Sequence, residues 1–250
     1  NWANATLSNP SNMTEFIVNN SFEEGFNGWA QNGLQTQSNT SFPLKSGNLY
    51  VEKWVSAGSS IGNTSITQTI GSELPKGIYL LKASVQNTQN GQKGQTGAWI
   101  MAGNDSIEVS EAKEYTLQFM HMEDQLTFGF VTHRASGNWI AADNFQLYYA
   151  AATTDDYKKE IEKRSYCIDH YYKAGKTPDT FIDFDKLLFF TQEEAYIVNS
   201  LIDRLDSTNM LKANLHRKLA SIYDRTSIAE YVDRKSNAAN VESLSNAIRG

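Results

Sequence analysis

Over the first 150 residues apolar and polar positions alternate with a period of two, and beyond that point the period lengthens to that of a helix. Ile66-Thr67-Gln68-Thr69-Ile70, Ile78-Tyr79-Leu80-Leu81-Lys82-Ala83 and Tyr115-Thr116-Leu117-Gln118-Phe119 carry an apolar residue at about every second place, as a strand with one buried face does. The pattern predicts strands at 16–18, 48–54, 65–70, 77–86, 97–102, 106–109, 113–120, 125–132 and 139–149. Gly71, Leu74-Pro75-Lys76-Gly77, the stretch 87–94 and Gly103-Asn104-Asp105 supply the turns between them. Eight or nine short strands without intervening helices predict an antiparallel sandwich or barrel. Phe16-Ile17-Val18 opens it and runs into an acidic, glycine-punctuated turn, with Phe22 and Trp29 as two anchors to the core.

The second part reads as helices. Thr154 caps the first, with Asp155 and Asp156 in its opening turn, Tyr157, Ile161, Ile168, Tyr171 and Tyr172 on one face, and Gly175 as its stop. The stretch from Phe181 to Phe190 fits either a buried short helix or an extended segment. Thr191-Gln192-Glu193-Glu194 is a capping box, followed by a stripe at Val198, Leu201, Ile202 and Leu205, and Leu211, Leu215, Leu219 and Ile222 form another. The fold class is therefore α+β in two domains: a β-sandwich over 1–150 and a small α-helical bundle over 151–250.

Composition sharpens that boundary. All five tryptophans precede residue 150, and basic against acidic residues number 7 and 12 before residue 151 but 15 and 16 from there on. The net charge of −6 argues against a nucleic-acid partner, which requires a basic face. A single cysteine, Cys167, excludes an internal disulfide, and His121, His133, His170 and His216 are scattered without zinc spacing. No apolar run approaches the length of about 20 residues that spans a bilayer. An Asn-rich, Cys-poor, aromatic-rich chain fits an exported bacterial protein of the cell surface, periplasm or extracellular space.

Several phrases resemble one family. Ile17-Val18-Asn19-Asn20-Ser21-Phe22-Glu23-Glu24-Gly25-Phe26-Asn27-Gly28-Trp29 resembles the opening of galactose-binding-like jelly-roll domains. Tyr50-Val51-Glu52-Lys53-Trp54, then Ile66-Thr67-Gln68-Thr69-Ile70 and Leu74-Pro75-Lys76-Gly77-Ile78-Tyr79 resemble their middle, and Asn138-Trp139-Ile140-Ala141-Ala142-Asp143-Asn144-Phe145-Gln146-Leu147 their closing strand. Among such domains the phrases resemble most the carbohydrate-binding modules of secreted bacterial polysaccharide-utilisation proteins. The resemblance implies a jelly roll of eight or nine strands whose first and last strands are neighbours. It also implies a structural Ca²⁺ held there by Glu23 and Asp143, with carbonyls near Asn20 and Ser21. The competing reading is that these carboxylates cap turns.

A glycan site needs an aromatic face for the ring C–H groups and planar polar side chains for the hydroxyls. Trp54 with Glu52 and Lys53, Trp99, and Trp139 with Arg134 on the preceding loop are the candidates. Alternation places Tyr50, Glu52 and Trp54 on one face of a strand and Val51, Lys53 and Val55 on the other, so Trp54 is equally a core residue, and Trp139 reads as core. No nucleophile elbow, carboxylate pair or zinc motif is present, and the reading is a non-catalytic glycan-binding protein. The alternative is a structural or protein-interaction module of the cell surface, with the helical part meeting a protein partner.

Overall fold

The computed structural model describes residues 2–103, 105–153, 155–156, 159–160, 180–183 and 188–191. The first strands, β1 (Ser11–Asn12), β2 (Ala30–Asn32) and β3 (Gln35–Gln37), are short and almost wholly polar. Periodicity gives no sign of them. The alternating segments follow as β4 (Tyr50–Trp54), β5 (Gly62–Ile70), β6 (Gly77–Thr88), β7 (Ala98–Ala102), β8 (Asp105–Glu108), β9 (Lys113–His121), β10 (Leu126–Ala135) and β11 (Trp139–Ala150).

All pairings are antiparallel. One sheet runs β3-β4-β11-β6-β9, with β1 added on β11, and the other runs β2-β5-β10-β7-β8. Their inner faces share one apolar core, to which the first sheet gives Val51, Leu81, Val85, Leu117 and Ile140 and the second Ile66, Ile100, Phe128 and Phe130. This is a β-sandwich, closed by burial of period-2 faces against each other.

The expected strand at 16–18 is not there. Thr14–Phe16 form a 3₁₀ turn, Ile17 is buried, and Val18 is exposed with its backbone held by a side chain instead of a ladder. Gln68 Oε1 accepts the Val18 N–H at 2.8 Å, and Gln68 Nε2 donates to the Val18 carbonyl at 3.0 Å. A three-residue apolar run has too little periodicity to separate a strand from a turn that buries one of its members.

Phe22 and Trp29 are core anchors. Phe22 lies edge-on to Phe145 at 6.0 Å, and Trp29 lies 5.0 Å from Phe145 and 5.6 Å from Phe128, so four rings join the acidic turn to β10 and β11. Asn19, with φ +52°, ties the turn from inside, its side chain donating to the carbonyls of Gly25 and Asn27 while its own carbonyl accepts the Trp29 indole N–H.

Two bulges break the alternation. In β11 the register shifts between Asp143 and Gln146, and Asn144 takes φ +51°, so Ala142 and Phe145 both reach the core although three residues apart. In β10 the shift falls between Thr132 and Ala135, with Arg134 at φ +50°. Elsewhere in β10, Gly129 faces Thr67 of β5 at close quarters. A Cβ there would collide with the Ile66 carbonyl oxygen and lie 2.8 Å from Thr67 Cα. Gly129→Ala is expected to cost about 1–3 kcal/mol as overpacking of a rigid backbone, read as a lower urea midpoint at unchanged slope.

The chain divides into two compact units, and the sandwich lies in the first, Asn1–Ala151. Asp155, Asp156, Lys159 and Glu160 are helical, and the cap of this helix is Thr153, one residue earlier than the sequence suggests. Asp156 Oδ2 accepts the Thr153 N–H and hydroxyl at 2.8 and 2.7 Å, and the Asp156 N–H donates to Thr153 Oγ1 at 3.2 Å, a reciprocal capping box. The described parts of the ambiguous stretch are extended: β12 (Thr180–Asp183) pairs antiparallel with β13 (Leu188–Thr191). The remaining helical stripes, and with them the expected bundle, lie outside the described residues.

Candidate functional site

The outer face of the β3-β4-β11-β6-β9 sheet collects side chains that a buried-core reading leaves unexplained. Register aligns them in rows. Gln35 of β3 faces Glu52 of β4, which faces Ala141 of β11, which faces Gln86 of β6. One step along, Trp54 faces Trp139, which faces Thr88. Because side chains alternate, Val51, Ile140 and Val85 turn to the core while these point the other way.

Glu52 is the centre of the first row. It is only 5% exposed, and neutral donors converge on its carboxylate: Gln35 Nε2 and Gln37 Nε2 at 3.1 Å on Oε1 and Trp139 Nε1 at 2.7 Å on Oε2, while the Tyr50 hydroxyl shares its one hydrogen between Asn39 Oδ1 at 2.8 Å and Glu52 Oε2 at 3.2 Å. Burial and the adjacent carboxylate push the Tyr50 hydroxyl above its ordinary pKa, so it remains a donor. The Trp139 indole is thereby fixed in plane as well as position.

Two open cavities lie on this face and share Trp139 as a wall. One, of about 480 Å³, is lined by Gln35, Gln37, Asn39, Ser41, Glu52, Trp54 and Trp139. The other, of about 590 Å³, is lined by Pro43, Gln86, Thr88, Glu111, Ala112 and the 91–93 turn. That turn is closed by paired backbone bonds between Gln89 and Gln92 and held to the sheet by Asn138, whose Oδ1 accepts the Asn90 N–H at 2.9 Å. Trp54 stands at the rim, 60% exposed.

The candidates from sequence therefore separate. Trp54, Glu52 and Trp139 come together, and Trp139, which reads as core, is half-buried on the outer face. Lys53 does not join them. It points to the inner side of β4, and its ammonium donates to the Ile61 carbonyl at 3.0 Å. Trp99 lies on β7 of the other sheet and is 4% exposed, so it presents no ring face to a ligand. Arg134 sits on the β10 bulge, also in the other sheet, with its N–H bound by Asn63 Oδ1 at 2.9 Å. Sequence reasoning missed Gln35, Gln37, Asn39 and Gln86. The outward parity of Gln86 with Thr88 was the available signal.

A second polar node lies where the acidic turn meets the last strand of the sandwich. The loop from Ser46 to Leu49 donates backbone N–H groups to two carboxylates: Ser46 to Asp143 Oδ2 at 2.6 Å, and Asn48 and Leu49 to Glu23 at 2.9–3.0 Å. Those bonds, the Leu49 N–H foremost, hold Glu23 below its ordinary value. Asp143 is fully buried, and desolvation, with the Glu23 charge adding to it, pushes its carboxyl up to about 7. The Asn20 carbonyl is already taken by the Phe145 N–H at 2.9 Å. The donor set is all oxygen, which suits a hard cation such as Ca²⁺. Among the described residues no group of three or more acidic, His or Cys side chains could hold a metal, so further ligands would be carbonyls or water.

No protein-family model and no curated protein matches this chain. Solved structures similar to it include carbohydrate-binding modules. TmCBM61 in complex with β-1,4-galactotriose is 18% identical, with 54% of this chain and 97% of that chain covered and a TM-score of 0.40. The CBM22-1 xylan-binding domain from Paenibacillus barcinonensis Xyn10C is 14% identical, with 54% and 94% covered and a TM-score of 0.37. A cyclase from Fischerella sp. TAU is similar as well, at 13% identity, with 55% and 96% covered and a TM-score of 0.42.

Proposed function

We propose that this chain is a non-catalytic, exported carbohydrate-binding protein whose glycan lies on the outer face of the β3-β4-β11-β6-β9 sheet. The observation that carries the reading is the exposed Trp54 ring beside Trp139 and the Gln35, Gln37 and Glu52 cluster, at the rim of an open cavity. Indole faces take the C–H side of a pyranose, and amide side chains exchange hydrogen bonds with hydroxyls; pre-fixed planar groups do so with little entropy to lose. The second cavity, on the far side of Trp139, supports an extended chain over a lone terminal residue. Two free carboxylates spaced around an open cleft, as glycoside hydrolysis requires, are not found among the described residues of this face: Glu52 is engaged on both oxygens by protein donors, and Glu111 is engaged by Lys93 and Lys113.

Affinity electrophoresis against plant, host and microbial polysaccharides tests the reading, and retardation by at least one is expected. Trp54→Ala is expected to weaken that interaction about tenfold, the value of one stacked ring, without changing the melting temperature beyond about a degree or two. Migration of wild type and variant alike through the whole panel would remove the proposal.

The Glu23 and Asp143 node supports a structural Ca²⁺ that staples the acidic turn to β11. The ion would supply charge neutralisation for two carboxylates brought together under one loop.

A further inference from the structure

We propose that Glu52 makes this face selective for uncharged glycan residues, excluding uronates and sulfated sugars. The inference rests on the glycan reading and adds its substrate class. Glu52 lies at the floor of the cavity with Trp54 at the rim, and its charge is unneutralised: among the described residues it makes no ion pair, and its four partners are neutral.

The charge is built in by the donor set. Two amide N–H groups and an indole N–H point at one side chain from two sides, with a phenol shared between it and Asn39, and only a carboxylate accepts on both oxygens with no hydrogen of its own. A glutamine there would turn an NH₂ toward two donors. Glu52 is thus engaged on both oxygens, and it acts on a bound sugar through its field and by holding the Trp139 plane.

The cations of the neighbourhood are committed elsewhere. Lys45 donates to the Ser38 carbonyl at 2.9 Å and lowers the carboxyls of Glu23 and Asp143; Lys93 is paired with Glu111 at 3.7 Å across the second cavity. Lys53 is turned to the inner side of its strand, on the Ile61 carbonyl. A second anion placed about 6 Å from a buried carboxylate meets repulsion sufficient for at least a tenfold loss of affinity, whereas a hydroxyl meets none.

The test uses matched polymer pairs with the same linkage: mannan with polymannuronate, and a galactan with its sulfated form. Calorimetry at about 20 mM and about 500 mM NaCl changes the screening length from roughly 20 Å to roughly 4 Å. The expected result is that the neutral member of a bound pair is favoured at least tenfold at low salt, and that the gap narrows at high salt. Glu52→Gln, checked for folding by circular dichroism, is expected to narrow it as well. Should that variant fail to fold, the salt series on the wild type decides alone. Equal or tighter binding of the acidic member, or a gap indifferent to salt, overturns the charge selection and leaves glycan binding standing. No binding to either member of any pair overturns the charge selection, and overturns glycan binding as well when no polysaccharide of the electrophoresis panel retards the protein.

Discussion

Stripped of divalent cations, the protein should lose stability as the pH rises from about 4 to about 7. The fully buried Asp143 has its folded pKa raised to about 7 from an ordinary 3.8, so over that interval the folded state binds a proton that the unfolded state has released. Its contribution is therefore complete below about pH 4 and gone above about pH 7, and three pH units correspond to about 4 kcal/mol as an upper bound. Glu23 acts with the opposite sign but in a different window. Its carboxyl is lowered from 4.5, so what it contributes is present above that pH and lost below it.

Calcium is expected to invert the trend. An ion that requires both carboxylates ionised competes with the Asp143 proton, so its stabilising effect grows as the pH rises through 7. Urea unfolding across this range, in chelator and in millimolar Ca²⁺, reads both effects. Asp143→Asn keeps the shape but removes the titration, and should flatten the chelated profile and abolish the response to calcium. A chelated wild type that is flat between pH 4.5 and 7 would show that the loop N–H groups alone compensate this carboxylate. No calcium effect at pH 8 would reduce the node to a backbone cap.

Trp139→Ala should cost about a hundredfold in affinity for the best-bound oligosaccharide, more than the loss of Trp54. The ring is the wall of both cavities, so its removal takes a stacking surface from each and one N–H donor from Glu52. Two stacking losses of about 1.4 kcal/mol each give that factor. Wild type should gain affinity with chain length until both cavities are filled, and the variant should not. Trp139→Phe, which keeps a ring but lacks the N–H, should recover most of the binding. If alanine binds as wild type does, the ligand lies off this face; thermal melting of each variant separates that outcome from general unfolding.

The strands were legible because burying one face of a pleated segment imposes a period of two. β5, β6, β9, β10 and β11 all appear within a few residues of their alternating runs. Polar strands β1 to β3 were not, since they join the sheet by backbone pairing and polar side chains and leave no hydrophobic trace. Phe16-Ile17-Val18 reads as a strand for the converse reason: composition suits one, yet Gln68 takes its backbone bonds from 50 residues away.

Local order along the chain thus settles which residues share a face, and the acidic turn and the Asp143-Asn144 pair both stand out as motifs in the chain itself. Which face is buried is another matter. Trp139 and Trp99 both sit in strand patterns rich in apolar neighbours, but one stands half-open between two cavities and the other is covered on the opposite sheet. Burial depends on what packs across the sandwich and on bulges that shift parity, and those are contacts between residues far apart in sequence. The same holds for Glu52, whose donors come from β3, β4 and β11 and converge only when the sheet forms.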